Sequence, residues 1–342
     1  MANESIIGMS DCNLRSLLAT CGVPIVFKER AFDKADSFVE ERCDTLYRVR
    51  ISRIESEDRL KKVTNQMCES GDVFSRLILM IEEGPENDLP RDMDALARRA
   101  FLVLEKAFQL KGLTLGSMSF ELGFHQGEDL AKKVAMLTGT LDYVSMELWE
   151  NGRPLEHSDD QSTEDSQNLQ RRVCDLTASF LPLPKQTLIV WRGSDKDKLD
   201  AFSQAWDEFG PSLWLNVTMF EHTRSMHKEP AQGYADLIRL VHNQANGNCV
   251  IIAYVGMSNG LGPTLAANTH VPVITVPASF DKFPDDVWSS LRVPSDVPLM
   301  TILNPRNAVL AALQILAANN PALYAALRLK LEERLINTAR LS

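Results

Sequence analysis

The run Cys249–Val255, CVIIAYV, carries no charged residue and does not alternate apolar with polar. A strand with one face in water alternates, whereas a strand buried on both faces reads as a continuous apolar run. Thr187–Trp191 (TLIVW) and Val273–Val276 (VITV) repeat the pattern. Segments of helical period separate these runs. They are Lys198–Phe209, a short helix opened by Pro263, and Ala231–Asn246, with Tyr234, Leu237, Ile238 and Val241 on one face. Ala308–Leu316 and Leu323–Ile336 read as two more helices. Apolar strands alternating with helices specify an α/β unit, a parallel sheet covered on both faces.

The rest of the chain reads differently. Arg153–Arg172 (RPLEHSDDQSTEDSQNLQRR) is strongly polar and predicts a solvated linker or a surface helix, and Leu181-Pro-Leu-Pro184 punctuates it. The 342 residues suit two domains, with expected boundaries at 1–152, a linker over 153–184, and 185–342. In the first part Asp94–Lys111 predicts a helix with Leu96, Ala100, Val103, Leu104, Ala107 and Phe108 inward and Gly112 as its stop. Strand-like stretches in Leu113–Gly123 and Lys133–Trp149 make that domain α+β.

Composition bounds the function. Hydrophobic residues are 44% and charged residues 24%, which allows a sizeable core. The net charge of −10 argues against nucleic-acid and anionic-membrane partners. No apolar run approaches the roughly 20 residues that span a bilayer. Met1–Asn13 lacks a basic segment followed by an apolar one, so the expectation is a cytoplasmic protein. Cys12, Cys21, Cys43, Cys68, Cys174 and Cys249 are scattered, which predicts reduced thiols. His125, His157, His242 and His270 form no metal-ligand spacing, and no metal site is expected. Asp285-Asp286 reads as a helix cap, and Glu82, Glu83 and Glu86 as a solvated turn.

Three loops of the second half are candidates for chemistry, because open parallel sheets bind ligands at the carboxyl ends of their strands. Gly193-Ser194-Asp195-Lys196-Asp197 follows TLIVW and precedes a helix, where backbone N–H groups favour an anion; an ordinary helix cap explains it equally well. Ser225-Met226-His227-Lys228-Glu229-Pro230 sets an imidazole beside an ammonium group, a pairing able to move a proton near a held charge. Gly256-Met257-Ser258-Asn259-Gly260-Leu261-Gly262-Pro263 lets backbone approach a small ligand closely, and it lacks the Gly-Lys-Ser/Thr of a P-loop.

From Thr187 to the C-terminus this order of motifs resembles the carboxylase domain of the animal bifunctional phosphoribosylaminoimidazole carboxylase / SAICAR synthetase family. The resemblance rests on G-S-x-x-D at Gly193–Asp197, S-x-H-K-x-P at Ser225–Pro230 and S-N-G-L-G-P at Ser258–Pro263. It continues through Asn268-Thr269, Pro272–Ile274 and D-V-W-S-S-L-R-x-P-S at Asp286–Ser295. It implies a three-layer flavodoxin-like parallel sheet and the carboxylation of 5-aminoimidazole ribonucleotide by carbon dioxide, without ATP, biotin or metal, in an octameric or other homo-oligomeric assembly. Carried over, His227 is the general acid/base. Lys228, Ser258 and Gly260 surround the carbon dioxide or carboxylate. Ser194, Asp197 and Ser225 bind the ribose phosphate, and Gly256 and Asn259 complete the substrate site. Met219–Arg224 (MFEHTR) reads as an insertion bearing a second histidine, His222, and Met257 stands where an arginine is usual. The apolar stretch Val309, Leu310, Leu313, Ile315, Leu316, Leu323, Leu327 and Leu331 is expected at a subunit interface.

Leu17–Trp149 resembles the later part of SAICAR synthetase more faintly. The motif L-x-D-x-K-x-E-x-G reads here as Leu115–Gly123, with Ser117 and Ser119 in place of its Asp and Lys. Of the acidic metal loop Asp142 remains, while Gly139 and Val144 stand where acids are expected. Too few residues precede Leu17 for the nucleotide-binding lobe. The expectation is a degenerate synthetase domain without ligase activity. The alternative reading of the whole chain is an inactive paralogue that serves as scaffold or regulatory subunit of the intact bifunctional enzyme.

Overall fold

A computed structural model describes residues 2–26, 29–30, 38–39, 45–53, 77–126, 133–141, 143–155, 164–209, 216–257 and 259–339. The chain divides into two compact units. The first is Met1–Pro182 with Tyr324–Ser342, and the second is Leu183–Leu323.

The first unit contains α1 (Ala2–Thr20), β1 (Glu29–Arg30), β2 (Phe38–Val39), β3 (Thr45–Arg53), β4 (Leu77–Glu83), α2 (Arg91–Gln109), β5 (Thr114–Gln126), β6 (Lys133–Leu137), β7 (Met146–Glu150), β8 (Arg153–Pro154) and α3 (Glu164–Ala178). Its main sheet runs β4-β3-β5-β7-β8 in antiparallel pairings, with β6 also on β5. The inward stripe of α2 forms as the sequence predicts, from Leu96 and Ala100 to Ala107 and Phe108, and packs on β5. Gly112 follows at φ +80°, a left-handed conformation glycine adopts without a Cβ penalty.

The second unit contains β9 (Gln186–Arg192), α4 (Asp200–Glu208), β10 (Val217–Thr223), α5 (Pro230–Ile238), β11 (Cys249–Val255), α6 (Leu261–Ala267), β12 (Val273–Pro277), α7 (Trp288–Leu291), β13 (Leu299–Thr301), α8 (Pro305–Ala317) and the start of α9 (Pro321–Ala339). A π-helical turn, Arg239–Gln244, extends α5. All five strands are parallel, in the order β10-β9-β11-β12-β13. Sheet growth therefore reverses after β10, and β9 and β11 flank the switch point. Alternation sends neighbouring side chains to opposite faces. Ile189, Trp191, Ile251, Ala253 and Val273 share a core with Leu237, Leu240, Val241, Leu261 and Leu265. Leu188, Val190, Val250, Ile252 and Ile274, the intervening residues, are equally buried, and α8 packs on β9, β11 and β12.

Several expectations need correction. Met219–Arg224 is built into the sheet: Met219 to Thr223 belong to β10 and pair in regular register with Leu188 to Arg192. Of the two readings of the polar segment, linker or surface helix, the helix forms: α3 occupies Glu164–Ala178 and packs on α1 within the first unit. The C-terminal boundary also differs, since Tyr324 onward groups with the first unit, where the Tyr324 hydroxyl donates to Glu105 at 2.8 Å. On α5 and its π turn Leu237, Leu240 and Val241 point inward while Tyr234 and Ile238 are exposed. The apolar residues after Ala308 are largely used inside the chain: Val309, Leu313, Leu316 and Leu323 are buried, and Leu331 is exposed. Among the described residues Cys12, Cys21, Cys174 and Cys249 are free thiols, and Cys43 and Cys68 lie outside them. No helix among the described residues is long and apolar enough to cross a membrane.

Asn320 ties the end of the second unit together. Its Nδ2 donates to Gln186 Oε1 at 3.0 Å, and its Oδ1 accepts from the Leu323 N–H at 3.1 Å. Both Gln186 and Asn320 are buried. Asn320→Ala removes a helix cap worth about 1 kcal/mol and leaves Gln186 short of a partner, about 1–3 kcal/mol. Urea unfolding should report a loss of about 2–4 kcal/mol. An unchanged midpoint would contradict this role.

Candidate functional site

All five strands of the second unit end on the same side, so the loops after β9, β10, β11 and β12 converge. Gly193 donates its N–H to Tyr254 O at 3.2 Å, which keeps the loop after β9 against β11. Ser194 and Asp197 sit in a turn ahead of α4, which starts at Asp200, two residues later than the sequence predicts. The Asp197 N–H donates to Ser194 O at 3.0 Å, and the Ser194 hydroxyl accepts from the Lys196 N–H at 3.3 Å. After β10, Ser225 to Glu229 form a turn closed by the Glu229 N–H to Ser225 O bond at 3.0 Å. Met226 is buried in the core, and His227 and Lys228 are exposed.

The third loop meets the other two. A Cβ built on Gly260 would overlap the His227 imidazole, so the ring lies directly on Gly260 backbone. A Cβ on Gly256 would lie 3.0 Å from Asp197 Oδ1 and 3.5 Å from Ser279 Oγ. Thus His227 meets Gly260, and Asp197 and Ser279 each lie close to Gly256. Asn259 differs from expectation. It is buried, its Nδ2 donates to Thr275 Oγ1 at 2.7 Å and to Ser290 Oγ at 2.9 Å, and its Oδ1 accepts from the Gly262 N–H at 2.9 Å. With its amide fully engaged inside the fold, Asn259 shapes the loop and does not line it. Ser258 lies outside the described residues, and Met257 is exposed.

Sequence reasoning missed the arginines that brace these loops. Arg192, the last residue of β9, donates to Thr223 Oγ1 (2.7 Å), Asp197 O (3.1 Å) and Asp195 Oδ1 (3.0 Å). Arg224 donates to Asp236 Oδ2 (3.0 Å) and Glu229 Oε1 (2.9 Å). A charged residue ending an apolar strand was the available signal for Arg192; Arg224 was hidden by the insertion reading. Ser279 was also missed. It lies just beyond β12, at the carboxyl edge where such loops gather.

Asp197 is the electrostatically unusual group. Burial pushes its carboxyl above the ordinary value of 3.8, against the Ser194 N–H and the Arg192 charge. Tyr254 is pushed up as well, first by burial and then by the charges of Asp197 and Asp281. His222, in contrast, is held down by burial despite its Asp236 partner, and its ring packs edge-on to Trp191.

In the first unit Ser117 of the synthetase-like motif has ordinary partners. Buried Ser117 accepts from Arg50 Nη2 at 2.6 Å and donates to Glu147 Oε2 at 3.0 Å. Ser119 lies two residues along β5. Asp142 lies outside the described residues. Among the described residues no group of three or more His, Cys, Asp or Glu could hold a metal ion.

Comparison with known proteins adds three findings. The AIR carboxylase family model matches residues 188–335. A bifunctional phosphoribosylaminoimidazole carboxylase/phosphoribosylaminoimidazole succinocarboxamide synthetase of Rattus norvegicus is 31% identical over 251 residues, 69% of this chain and 56% of that protein. This match must reach into the first unit, because 188–335 is too short to hold it. A phosphoribosylaminoimidazole carboxylase of Archaeoglobus fulgidus is 31% identical over 134 residues, 39% of this chain and 69% of that protein. The chain thus spans little more than half the length of the bifunctional relative.

The raised Asp197 has a testable consequence. Folding holds its proton more tightly than the unfolded chain does, so this group's contribution to stability falls as pH rises from about 3.8 through the higher folded value. Asp197→Asn should therefore melt at or above the wild type at pH 7, and the difference should shrink as pH falls toward 4 in calorimetry. A clearly lower melting temperature at pH 7 would contradict the burial argument.

Proposed function

The chain belongs to the AIR carboxylase family, and on that footing we propose that it carboxylates 5-aminoimidazole ribonucleotide with carbon dioxide to the 4-carboxy product in purine biosynthesis. The single observation that carries the reading is the meeting of His227 with Gly260 at the carboxyl edge of a parallel sheet, beside Asp197 and Gly256. The strand order, with its switch point between β9 and β11, supports the flavodoxin-like layout that the resemblance implies.

Each step falls to a named group. Ser194, Ser225 and the N–H groups of their turns take the nucleotide phosphate, and the Asp197 carboxylate accepts from a ribose hydroxyl. The electron-rich imidazole carbon attacks the carbon of carbon dioxide. A carbon–carbon bond forms, one C=O electron pair moves to oxygen, the attacked carbon becomes tetrahedral, and the positive charge is shared by the amino and ring nitrogens. Lys228 and the Gly260 backbone face the new carboxylate, and Ser258 is assigned to it by resemblance alone. His227 removes the proton from the tetrahedral carbon, the ring regains aromaticity, and the proton passes on to solvent. Holding gas and nucleotide together supplies much of the rate, because the attack is otherwise bimolecular.

The first unit is read as a domain that no longer ligates. Coupling with ATP needs an acid-held metal and a positive charge on the transferring phosphoryl group. Ser117 and Ser119 supply neither, and Ser117 is engaged with Arg50 and Glu147. The assembly is read as a homo-oligomer, an octamer by resemblance. Exposed Trp288, Leu291 and Met300 on α7 and β13 support it. Light scattering should give a mass of several chains; a monomer at micromolar concentration would overturn this.

The purified chain, aminoimidazole ribonucleotide and bicarbonate should yield the 4-carboxy nucleotide. His227→Asn should lower kcat about 10²–10⁴-fold while nucleotide binding persists. Added ATP and aspartate should yield no succinocarboxamide product. A wild type that binds the nucleotide and does not carboxylate it would overturn the enzyme reading in favour of a scaffold or regulatory subunit.

A further inference from the structure

Asp236 lies on α5, away from the loops that carry the proposed chemistry, yet it gathers three partners. Its Oδ2 accepts from Arg224 Nε at 3.0 Å and is paired with His222 Nε2 at 3.0 Å. Its Oδ1 accepts from Arg239 Nη2 at 3.2 Å. The Asp236 side chain is 14% exposed. Burial alone would raise its carboxyl, but the bonds from Arg224 and Arg239 and the nearby His222 hold it below the usual range.

Arg224 is the link from this carboxylate to the site. It directly precedes Ser225, and its Nη1 donates to Glu229 Oε1 at 2.9 Å. Its backbone is fixed on both sides: its N–H donates to Arg192 O at 3.1 Å, and its carbonyl accepts from Trp191 Nε1 at 3.0 Å. One guanidinium therefore spans the two ends of the turn Ser225–Glu229 and anchors both to α5. His227 sits in the middle of that turn, with its ring against Gly260. An exposed imidazole on an unbraced turn would sample many positions, whereas proton transfer needs the ring held to within a fraction of an ångström.

We propose that Asp236 is a positioning residue: through Arg224 it fixes the turn Ser225–Glu229, and so places the His227 imidazole for proton transfer. This rests on the carboxylase reading for its chemical consequence and on geometry alone for its structural one. His222 shares the same carboxylate, so it belongs to the brace and is not a bystander of the site.

The test combines amide hydrogen exchange with kinetics on the full chain, using Asp236→Asn and Arg224→Met. Each variant should speed exchange within 225–229, where the Glu229 amide is bonded to Ser225 O, while amides of 251–255 stay as protected as in the wild type. In the carboxylation assay kcat should fall about 10–100-fold, with a smaller rise in the nucleotide KM because Ser225 lies on the same turn. The double variant should lose no more than the worse single one, because both changes break the same link. Unchanged exchange in 225–229 would overturn the brace. A loosened turn with unchanged kcat, or a raised KM with kcat intact, would overturn its link to proton transfer. If the wild type is inert, the carboxylase reading fails, and the exchange result alone decides whether the brace exists. If Asp236→Asn also unprotects 251–255, Arg224→Met, which leaves the Asp236–Arg239 pair in place, decides the matter.

Discussion

Parallel pairing is the constraint on which the site depends. Because β9, β10, β11 and β12 all run the same way, four loops far apart in sequence open on one edge. The reversal of sheet growth after β10 parts the loops that follow β9 and β11 and leaves room between them. Close backbone approach then does the fine placement. Gly260 admits the His227 ring because it has no Cβ, and Gly256 does the same for Asp197. A side chain at either glycine would push apart groups that we propose share one small ligand.

Polar side chains fix what the backbone brings together. Asn259 is the clearest case. Its side chain turns away from the loop mouth and bonds Thr275, Ser290 and the Gly262 N–H, so the S-N-G segment is held from beneath. Arg192 and Arg224 do comparable work on the other loops, each bridging from a strand end to a turn. Ser194, His227 and Lys228 are exposed at the edge, and these are the residues we propose face a ligand.

The sequence revealed the central strands because they are buried on both faces. TLIVW, CVIIAYV and VITV could hardly be anything else, and all three lie in the sheet. The two edge strands escaped for physical reasons. β10 mixes buried Val217 with exposed Phe220 and Glu221, since an edge strand is half solvated, and β13 is only three residues long. The helix α3 was one of two readings of its polar segment, and that polarity hid its inward face at Val173 and Cys174. The three site loops could be found from glycines and paired donors, but the roles within them could not. Whether an asparagine points into a loop or beneath it depends on partners 16 and 31 residues away.

The central claim is that these converging loops form one nucleotide site with His227 beside the carbon that reacts. The most direct measurement is a crystal structure of the chain with aminoimidazole ribonucleotide bound. The account predicts the phosphate within hydrogen-bonding distance of Ser194 and Ser225, and the imidazole ring of the nucleotide between His227 and the Gly256–Gly260 loop. A nucleotide seated elsewhere, or a ring turned away from His227, would contradict it.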